Sequence, residues 1–293
     1  MTTLRAATRA SALARWQTDY IAALLGDAHA DLTVEPVVID TQGDRDKTSP
    51  IHQLGGQGVF VKEVQAAVLD GRADVAVHSA KDLPSAVADG LVIAAVPERA
   101  DERDVLIGST FADLAPGAVV ATGSVRRRAQ LAWARPDLRF AELRGNIGTR
   151  LAKAADFDAI VMAAAALDRL GEHPAVAERL PVDVMLPQVA QGALAVECRE
   201  DDAATRERLA AIEHVPSRRR VDAERSFLAE LGGGCDLPAG ALAILSDEGI
   251  ELTGLLATTD GAQLLRATAV GADTNIGADV ARHLLDGGGR QFE

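Results

Sequence analysis

The sequence predicts an α/β protein with a small α+β domain at its C-terminal end. Up to residue 200, short β-branched runs alternate with amphipathic stretches, the pattern of parallel strands joined by crossover helices. After residue 215 the pattern changes to a helix, three strand-like runs and a last helix. A chain of 293 residues is too long for one ordinary compact core, so we expect two or three domains.

The predicted elements follow one another in a regular order. In the first half of the α/β region, LRAAT, LTVEPVVID and ADVAVHS are the strands, while SALARWQTDYIAALL and VFVKEVQAAVLDG are the helices. Ser11 is placed to cap the first helix, and Gly71 ends the second. The second half has strands at GAVVATGS, LRFAEL and DAIVMAA and helices at VRRRAQLAWAR and NIGTRLAKAA.

The C-terminal region reads as an α+β domain. SRRRVDAERSFLAELGGG is a helix that ends at glycines, and ALAILS, IELTGLLAT and QLLRATAV are strands, followed by a helix near 275 to 287. The change from alternating units to consecutive strands marks a separate unit of structure.

Composition limits the classes of partner. The formal net charge is −13 and the pI is about 4.9, which disfavours binding to nucleic acid or to an anionic membrane. The longest apolar run covers residues 159–167, about half a membrane span, and the N-terminal residues lack a secretory apolar segment. We therefore expect a cytoplasmic protein. The six histidines never have a metal-ligand spacing, so no metal site is expected.

Basic residues gather where predicted strands end. Arginines in the first turn of a helix are electrostatically unfavourable unless an anion binds there. Each cluster by itself is also compatible with a basic surface turn, but three at equivalent positions favour a small polyanionic ligand. The residues concerned are Arg9 and Ser11 after the first strand, Thr122, Ser124, Arg126 and Arg127 in TGSVRRRAQL, and Arg144 and Arg150 in LRGNIGTRL.

Two further segments contain candidate site residues. VHSAKDLPS ends a buried strand with Lys81 and Asp82 side by side, which suits a proton donor next to an anion-binding cation. The alternative is a turn in which Asp82 caps the next segment and Lys81 is solvated. PQVAQGALAVECR returns to a sheet, with Gln191 at its start.

The two cysteines lie in different settings. Cys198 lies inside a strand-like run and is predicted to be a core thiol. Cys235 lies in LGGGCDLPAG, where glycines let the backbone approach a bulky group. Cys235 is therefore a small residue in a tight turn, a nucleophile or a covalent attachment point.

Nine segments, in order along nearly the whole chain, resemble the porphobilinogen deaminase family of the tetrapyrrole pathway. No single segment decides the resemblance, but coincidence across all nine is improbable. They are RAATRASALARWQ, GGQGVFVKE, RADVAVHSAKDLP, ERADERDVL, ATGSVRRRAQL, LRGNIGTRL, DAIVMAAAALDRLG, LPQVAQGALAVECR and AERSFLAELGGGCDLPAGA.

The resemblance implies two doubly wound α/β lobes like those of periplasmic binding proteins, plus a C-terminal α+β domain. The expected boundaries are residues 1–97 with 191–213 for the first lobe, 98–190 for the second, and 214–293 for the last domain. It also implies a transferase that condenses four porphobilinogen molecules on a covalent dipyrromethane primer, releases ammonia and hydrolyses off hydroxymethylbilane. Because no apolar surface helix is evident in the sequence, we expect a monomer. The primer is implied to be joined by a thioether to Cys235, and the catalytic aspartate is implied to be Asp82.

The resemblance also assigns binding roles to the polar turns. Each pyrrole ring has an acetate and a propionate, which forked arginine donors bind well. Cofactor binding is implied for Lys81, Asp82, Thr122, Ser124, Arg126 and Arg127, and substrate binding for Arg9, Ser11, Arg144, Arg150, Arg169, Gln191 and Phe60.

The chain departs from the family pattern in three places. Gln57 stands where many relatives have lysine, Gly123 lacks a hydroxyl, and Asp236 adds an acid beside the thiol of Cys235. Two other functions stay open on the residues alone. One is a non-enzymatic, two-lobed protein that binds a polycarboxylate, and the other is a thiol-dependent transferase.

Overall fold

The structure is a computed structural model that describes residues 2–41, 61–232 and 237–292. The chain divides into two compact units, Met1–Ala100 with Ala193–Arg218 and Asp101–Gly192 with Arg219–Glu293. Each unit is built around a five-stranded sheet, and the second also contains a three-stranded sheet. The predicted α/β class with a C-terminal α+β region is confirmed, while the three-domain boundaries stay a prediction.

The first unit contains a mixed sheet with helices on both faces. Strand β1 pairs in parallel with β2 and β3, as predicted. Strand β10, which returns from the second unit, is antiparallel to β3 and β4, because it re-enters the sheet from the opposite end. The strands are β1 Thr2–Arg9, β2 Leu32–Ile39, β3 Val75–Ser79, β4 Leu91–Ala95 and β10 Leu194–Arg199, and the helices are α1 Ala12–Ala28, α2 Lys62–Leu69 and α6 Ala203–Ala210.

Two apolar clusters hold these helices to the sheet. On one side, Ile21 and Leu25 of α1 pack among Leu4, Val77 and Leu194. On the other side, α2 packs Val64 and Val68 against strand residues that include Ala7, Ala76 and Leu91. Since side chains of a strand alternate between faces, β3 contributes Val77 to the first cluster and Ala76 to the second. The same alternation places His78 on the α2 side.

The second unit repeats this arrangement with a shorter sheet. Strand β6 is parallel to β7 and β8, while β5 is antiparallel to β8 and β9. No sequence prediction covered β4, β5, β9, α5 or α6. The elements are β5 Asp104–Ile107, β6 Val119–Ala121, α3 Val125–Ala134, β7 Arg139–Ala141, α4 Ile147–Ala152, β8 Ala159–Ala163, α5 Ala164–Leu170 and β9 Ala177–Arg179.

The C-terminal part is an antiparallel meander with two helices against it. A Cβ at Gly254 would lie 2.5 Å from Phe227 and 2.8 Å from Val280, so glycine there lets both helices approach the central strand. All five predicted elements are confirmed. They are α7 Val215–Leu231, β11 Ala239–Ser246, β12 Gly249–Ala257, β13 Leu264–Gly271 and α8 Ile276–Asp286.

Candidate active site

A cavity of the first unit lies where β1 and β3 end beside the first turn of α1, and it is lined by Arg9, Ser11 and Asp82 among others. Arg9 is the last residue of β1, and Ser11 caps α1 by accepting a hydrogen bond from the N–H of Ala14 at 3.3 Å. Because parallel strands end at one edge of a sheet, three predicted site residues come together here.

Asp82 is presented to this cavity by a single-turn 3-10 helix, Ala80–Asp82, which follows β3 directly. The N–H of Ala80 donates to the carbonyl of Ala193 at 3.0 Å, and the N–H of Leu83 donates to the carbonyl of Ala80 at 3.3 Å. Ala80 and Leu83 are buried, whereas Lys81 and Asp82 between them are half-buried. The buried neighbours therefore anchor the turn while the Asp82 carboxyl stays accessible.

A buried polar cluster adjoins the cavity through His78, which is also one of its lining residues. The Nε2 of Gln65 donates to both carboxylate oxygens of Glu197, at 3.2 and 2.9 Å. The Nε2 of His78 lies 3.0 Å from Oε2 of Glu197, although the two groups are not aligned as a hydrogen bond. The side chains of His78 and Glu197 are only 4% and 1% exposed. Sequence reasoning assigned no role to these three residues.

In the second unit, Arg126 and Arg127 are buried against one carboxylate, that of Asp104. The Nη2 of Arg126 donates to Oδ2 of Asp104 at 2.7 Å, and Arg127 donates to Oδ1 through Nε at 3.0 Å and Nη2 at 2.7 Å. The Nε2 of Gln191 donates to the same Oδ1 at 2.9 Å. Asp104 is fully buried at the start of β5. The structure therefore links three predicted site residues through an aspartate that sequence reasoning missed.

The electrostatics of this arginine cluster, Asp104, Arg126 and Arg127, favour the charged form of Asp104. Burial alone raises the pKa of the Asp104 carboxyl, but the two guanidinium groups outweigh burial and hold that pKa well below its usual range. Two positive groups and one negative group leave a net charge of +1. Within the described residues, Nε of Arg126 is buried without a hydrogen-bond partner. The cluster is thus suited to a further anionic group.

Thr122 and Ser124 shape the turn that leads into these arginines. The hydroxyl of Thr122 accepts a hydrogen bond from the N–H of Ser124 at 3.2 Å, and the Ser124 side chain caps α3 by accepting from the N–H of Arg127 at 3.4 Å. Thr122 is buried and Ser124 is half-buried. Both hydroxyls therefore have a local structural role at the predicted position.

The turn before α4 positions the next pair of arginines. Asn146 caps α4 by accepting from the N–H of Thr149 at 2.9 Å, and Nε of Arg150 donates to the carbonyl of Gly145 at 2.7 Å. Gly145 has a φ of 116°, in the left-handed region that glycine tolerates. Arg144 and Arg150 are both half-buried on this glycine turn.

The segment before β10 is held in a strained turn. Ala190 has a φ of 59°, unusual for a residue with a Cβ, and its N–H donates to the buried carboxylate of Glu224 at 2.7 Å. Nη2 of Arg169 donates to the carbonyl of Gly192 at 2.7 Å. Arg169 and Gln191, both predicted from the resemblance, therefore lie in or against one turn of the second unit.

Several predicted positions lie outside the described residues, namely Gln57, Phe60, Cys235 and Asp236. Cys198 is buried in β10, as predicted for a core thiol, and burial raises the pKa of its thiol to about 11. A thiol with such a pKa is a poor nucleophile at neutral pH.

Neither a membrane-spanning helix nor a group of metal ligands is found in the described residues. None of the helices there is both long enough and apolar enough to cross a membrane. In the same residues, histidine, cysteine, aspartate and glutamate side chains form no group of three or more that could hold a metal ion.

Comparison with protein families gives two matches that together span most of the chain. A family model described as "Porphobilinogen deaminase, dipyromethane cofactor binding domain" matches residues 4–207. A second, described as "Porphobilinogen deaminase, C-terminal domain", matches residues 218–286.

Three similar solved structures are two binding proteins and one periplasmic domain. The methionine binding protein MetQ is 13% identical with a TM-score of 0.44, over 78% of this chain and 94% of that chain. An ancestral cationic amino acid solute binding protein is 15% identical with a TM-score of 0.43, over 71% and 86%. The BvgS periplasmic VFT2 domain of Bordetella pertussis is 15% identical with a TM-score of 0.42, over 72% and 86%.

Proposed function

Because the chain belongs to the porphobilinogen deaminase family, we propose that it condenses four porphobilinogen molecules head to tail and hydrolyses the product to hydroxymethylbilane. Each condensation releases one ammonia. The observation that carries the proposal is the cavity that Asp82 lines together with Arg9 and Ser11. A cavity lined by both a carboxyl and a guanidinium suits an amine-releasing reaction on a substrate that itself has carboxylates.

Asp82 is the proposed catalytic residue. Loss of ammonia from an aminomethylpyrrole needs a proton on the leaving nitrogen and leaves positive charge on the ring. A carboxyl that delivers the proton becomes a carboxylate, which then stabilises that charge. The short turn Ala80–Asp82 suits this role, because it holds the carboxyl at the cavity between buried neighbours.

The basic residues are proposed to bind the carboxylates of the rings. Forked guanidinium donors fix the orientation of a ring as well as attract it. In the first unit, Arg9 and Ser11 line the cavity and are assigned to the incoming substrate. We assign the same class of role to Arg144, Arg150, Arg169 and Gln191, and we propose that Phe60 covers the bound substrate.

When bound through a thioether to Cys235, dipyrromethane would supply the pyrrole to which the first substrate unit is joined. The residues proposed to hold its carboxylates and ring N–H groups are Lys81, Asp82, Thr122, Ser124, Arg126 and Arg127. The arginine cluster fits this role in two respects. It has a net charge of +1, and Nε of Arg126 is buried without a hydrogen-bond partner among the described residues. A cofactor carboxylate would neutralise the charge.

Intact mass under denaturing conditions tests the cofactor. The wild type is expected to be heavier than its sequence by two pyrrole units, and Cys235→Ser should lack that increment. Cys198→Ser is the matched control and should keep it, because Cys198 is buried in a strand. An unmodified wild type that is fully active would disprove covalent attachment.

Turnover of porphobilinogen tests the catalytic assignment. Asp82→Asn is expected to keep the mass increment and to lose nearly all ammonia release. Asp89→Asn, at an exposed position of the same unit, should behave as the wild type. A substantial residual rate in Asp82→Asn would exclude Asp82 as the catalytic acid.

The non-enzymatic alternative is not favoured, because both matching family models describe a deaminase. It predicts no ammonia release and a free thiol at Cys235, so the same two measurements separate it from the enzyme. A cytoplasmic location and a monomeric state stay predictions from the sequence.

A further inference from the structure

Asp104 lies at the centre of the arginine cluster, yet the proposed function gives it no role. Its side chain is 0% exposed, and its two oxygens accept one hydrogen bond from Arg126, two from Arg127 and one from Gln191. A carboxylate has about four lone-pair sites, so these bonds use its acceptor capacity. Because Asp104 is engaged by protein donors, any effect that it has on a bound anion must pass through the two arginines.

The two arginines differ in how many of their nitrogens have a partner. All three nitrogens of Arg127 donate, Nε and Nη2 to Asp104 and Nη1 to the carbonyl of Val161 at 3.1 Å. Arg126 donates from Nη2 to Asp104 and from Nη1 to the carbonyl of Leu186, whereas its Nε is buried without a partner among the described residues. A buried donor without an acceptor is unfavourable, so Nε of Arg126 is where the cluster would gain from a further acceptor oxygen.

The charge of the cluster indicates what kind of group would supply that oxygen. Both arginines stay protonated, and the ionised Asp104 neutralises only one of them. A buried charge without a partner is strongly unfavourable. One further carboxylate would bring the net charge from +1 to zero, and two would make it negative. The cluster therefore fits a single carboxylate.

The cluster also lies against the strand that follows the proposed attachment cysteine. A Cβ at Gly240 of β11 would lie 3.4 Å from Cδ of Arg126 and 2.7 Å from the carbonyl oxygen of Pro187. The N–H of Ala241 donates to that same carbonyl at 3.2 Å. Gly240 follows Cys235 by five residues, and five extended residues span at most about 18 Å. A group tethered to Cys235 is thus kept in the neighbourhood of Arg126.

We propose that Asp104 is a positioning residue of the cofactor site, which holds both guanidinium groups so that one carboxylate of dipyrromethane completes the cluster at Nε of Arg126. Asp104 itself does not touch the cofactor. It fixes the two side chains before the cofactor binds, so that binding does not have to immobilise them. The inference rests on the proposed function, because dipyrromethane is the cofactor of that function.

The rate of cofactor loading is the main test. Apoprotein of each variant, made in cells that lack porphobilinogen, is incubated with porphobilinogen, and intact mass follows the increment of two pyrrole units. We expect Asp104→Asn to load at least about 10-fold more slowly than the wild type, because misplaced binding groups no longer orient the ligand. The rise of the cluster charge to +2 would by itself attract carboxylates more strongly. A loading rate equal to or above that of the wild type would therefore overturn the proposal.

Two control variants separate positioning from stability and from charge. Gly277→Ala strains α8, since the added Cβ would lie 1.9 Å from the carbonyl oxygen of Ala223, but it leaves the arginine cluster intact. Asp137→Asn removes the same charge from an exposed ion pair with Arg135. Both variants should load at the wild-type rate. If folded Asp104→Asn loads no more slowly than Gly277→Ala, the positioning role is wrong.

A second measurement needs no variant of Asp104. In ¹⁵N-arginine-labelled protein, the Nε proton of Arg126 should resonate further downfield in loaded wild type than in Cys235→Ser, because the cofactor carboxylate accepts its hydrogen bond. The Nε proton of Arg135, which donates to Asp137 at 2.8 Å, should not move. An Arg126 signal that is the same in both proteins would overturn the proposal, whether or not Asp104→Asn folds.

The outcomes also separate this inference from the proposed function. If the wild type gains the mass increment and consumes porphobilinogen while Asp104→Asn loads equally fast, only the role of Asp104 fails. If the wild type consumes porphobilinogen without ever gaining the increment, the covalent cofactor and this inference fail together. If the wild type does not consume porphobilinogen at all, the proposed function fails.

Discussion

Replacing Asp104 with asparagine tests whether the arginine cluster of the second unit depends on one carboxylate. The two oxygens of Asp104 accept four hydrogen bonds, one from Arg126, two from Arg127 and one from Gln191. In Asp104→Asn one oxygen becomes an amide nitrogen, which donates and so faces at least one donor without an acceptor. The net charge of the cluster rises from +1 to +2 in a buried site.

The expected cost follows from this geometry. Removing one partner of a buried ion pair lowers the free energy of unfolding by about 3–5 kcal/mol. At about 2–4 °C per kcal/mol for a domain of this size, the melting temperature should fall on the order of 10 °C. A typical total stability is about 5–15 kcal/mol, so the variant should lose a large part of it.

The assay is thermal and guanidinium unfolding in a Cys235→Ser background, so that cofactor loading does not differ between variants. Asp137→Asn is the matched control, because Asp137 forms a two-point pair with Arg135 at an exposed position. Its melting temperature should stay close to that of the parent. If Asp104→Asn and Asp137→Asn have the same melting temperature, the arginine cluster does not depend on the Asp104 carboxylate.

Three further predictions concern pH, packing and thiol reactivity. Partial burial raises the pKa of Asp101, but hydrogen bonds from two arginines outweigh burial and lower that pKa to about 2. The ionised Asp101 carboxylate therefore stabilises the fold fully above about pH 4, and this stabilisation is lost as the pH falls towards 2. Over that range the urea midpoint should drop less in Asp101→Asn than in the wild type. A Cβ at Gly277 would lie 1.9 Å from the carbonyl oxygen of Ala223, so Gly277→Ala should lower the free energy of unfolding by about 1–3 kcal/mol or more. Gly26→Ala is the control, because a Cβ at Gly26 would have no heavy atom within 4 Å. Chemical denaturation should show no loss of stability in that variant. Cys198 should resist iodoacetamide at pH 8 in the native protein and react in guanidinium, as peptide mass mapping would reveal; rapid native labelling would contradict its burial.

The order of the elements was predictable because the signals for it are local. The helical spacing after Ser11 and the capping position of Ser11 are both visible within a few residues, and the Ser11 cap is confirmed. The antiparallel placement of β10 and β5 was not predictable in this way. Their direction depends on where the chain re-enters each sheet, and a short apolar run has the same pattern in either direction.

In the candidate site, some residues that lie together were predicted from the sequence and others were not. The ends of β1 and β3 carry Arg9 and Asp82, so the rule that parallel strands end at one edge already placed them together. Asp104 lies in a segment that was included in the resemblance. The local sequence shows only that it is an acidic residue at the start of an apolar strand. Nothing near it in the sequence indicates that Arg126 and Arg127 bind it.

The sequence by itself determined which residue types are available at each strand end, because turns, caps and periodicity depend on neighbours along the chain. Only the tertiary structure decided which charges pair in the interior. It buries Asp104 against two arginines more than twenty positions away, and it places Glu197 beside His78 across an antiparallel ladder. The physical reason is that a buried charge is stable only beside a partner of opposite charge. Which residue becomes that partner depends on the order and direction of the strands in the sheet, and these are not local properties of the sequence.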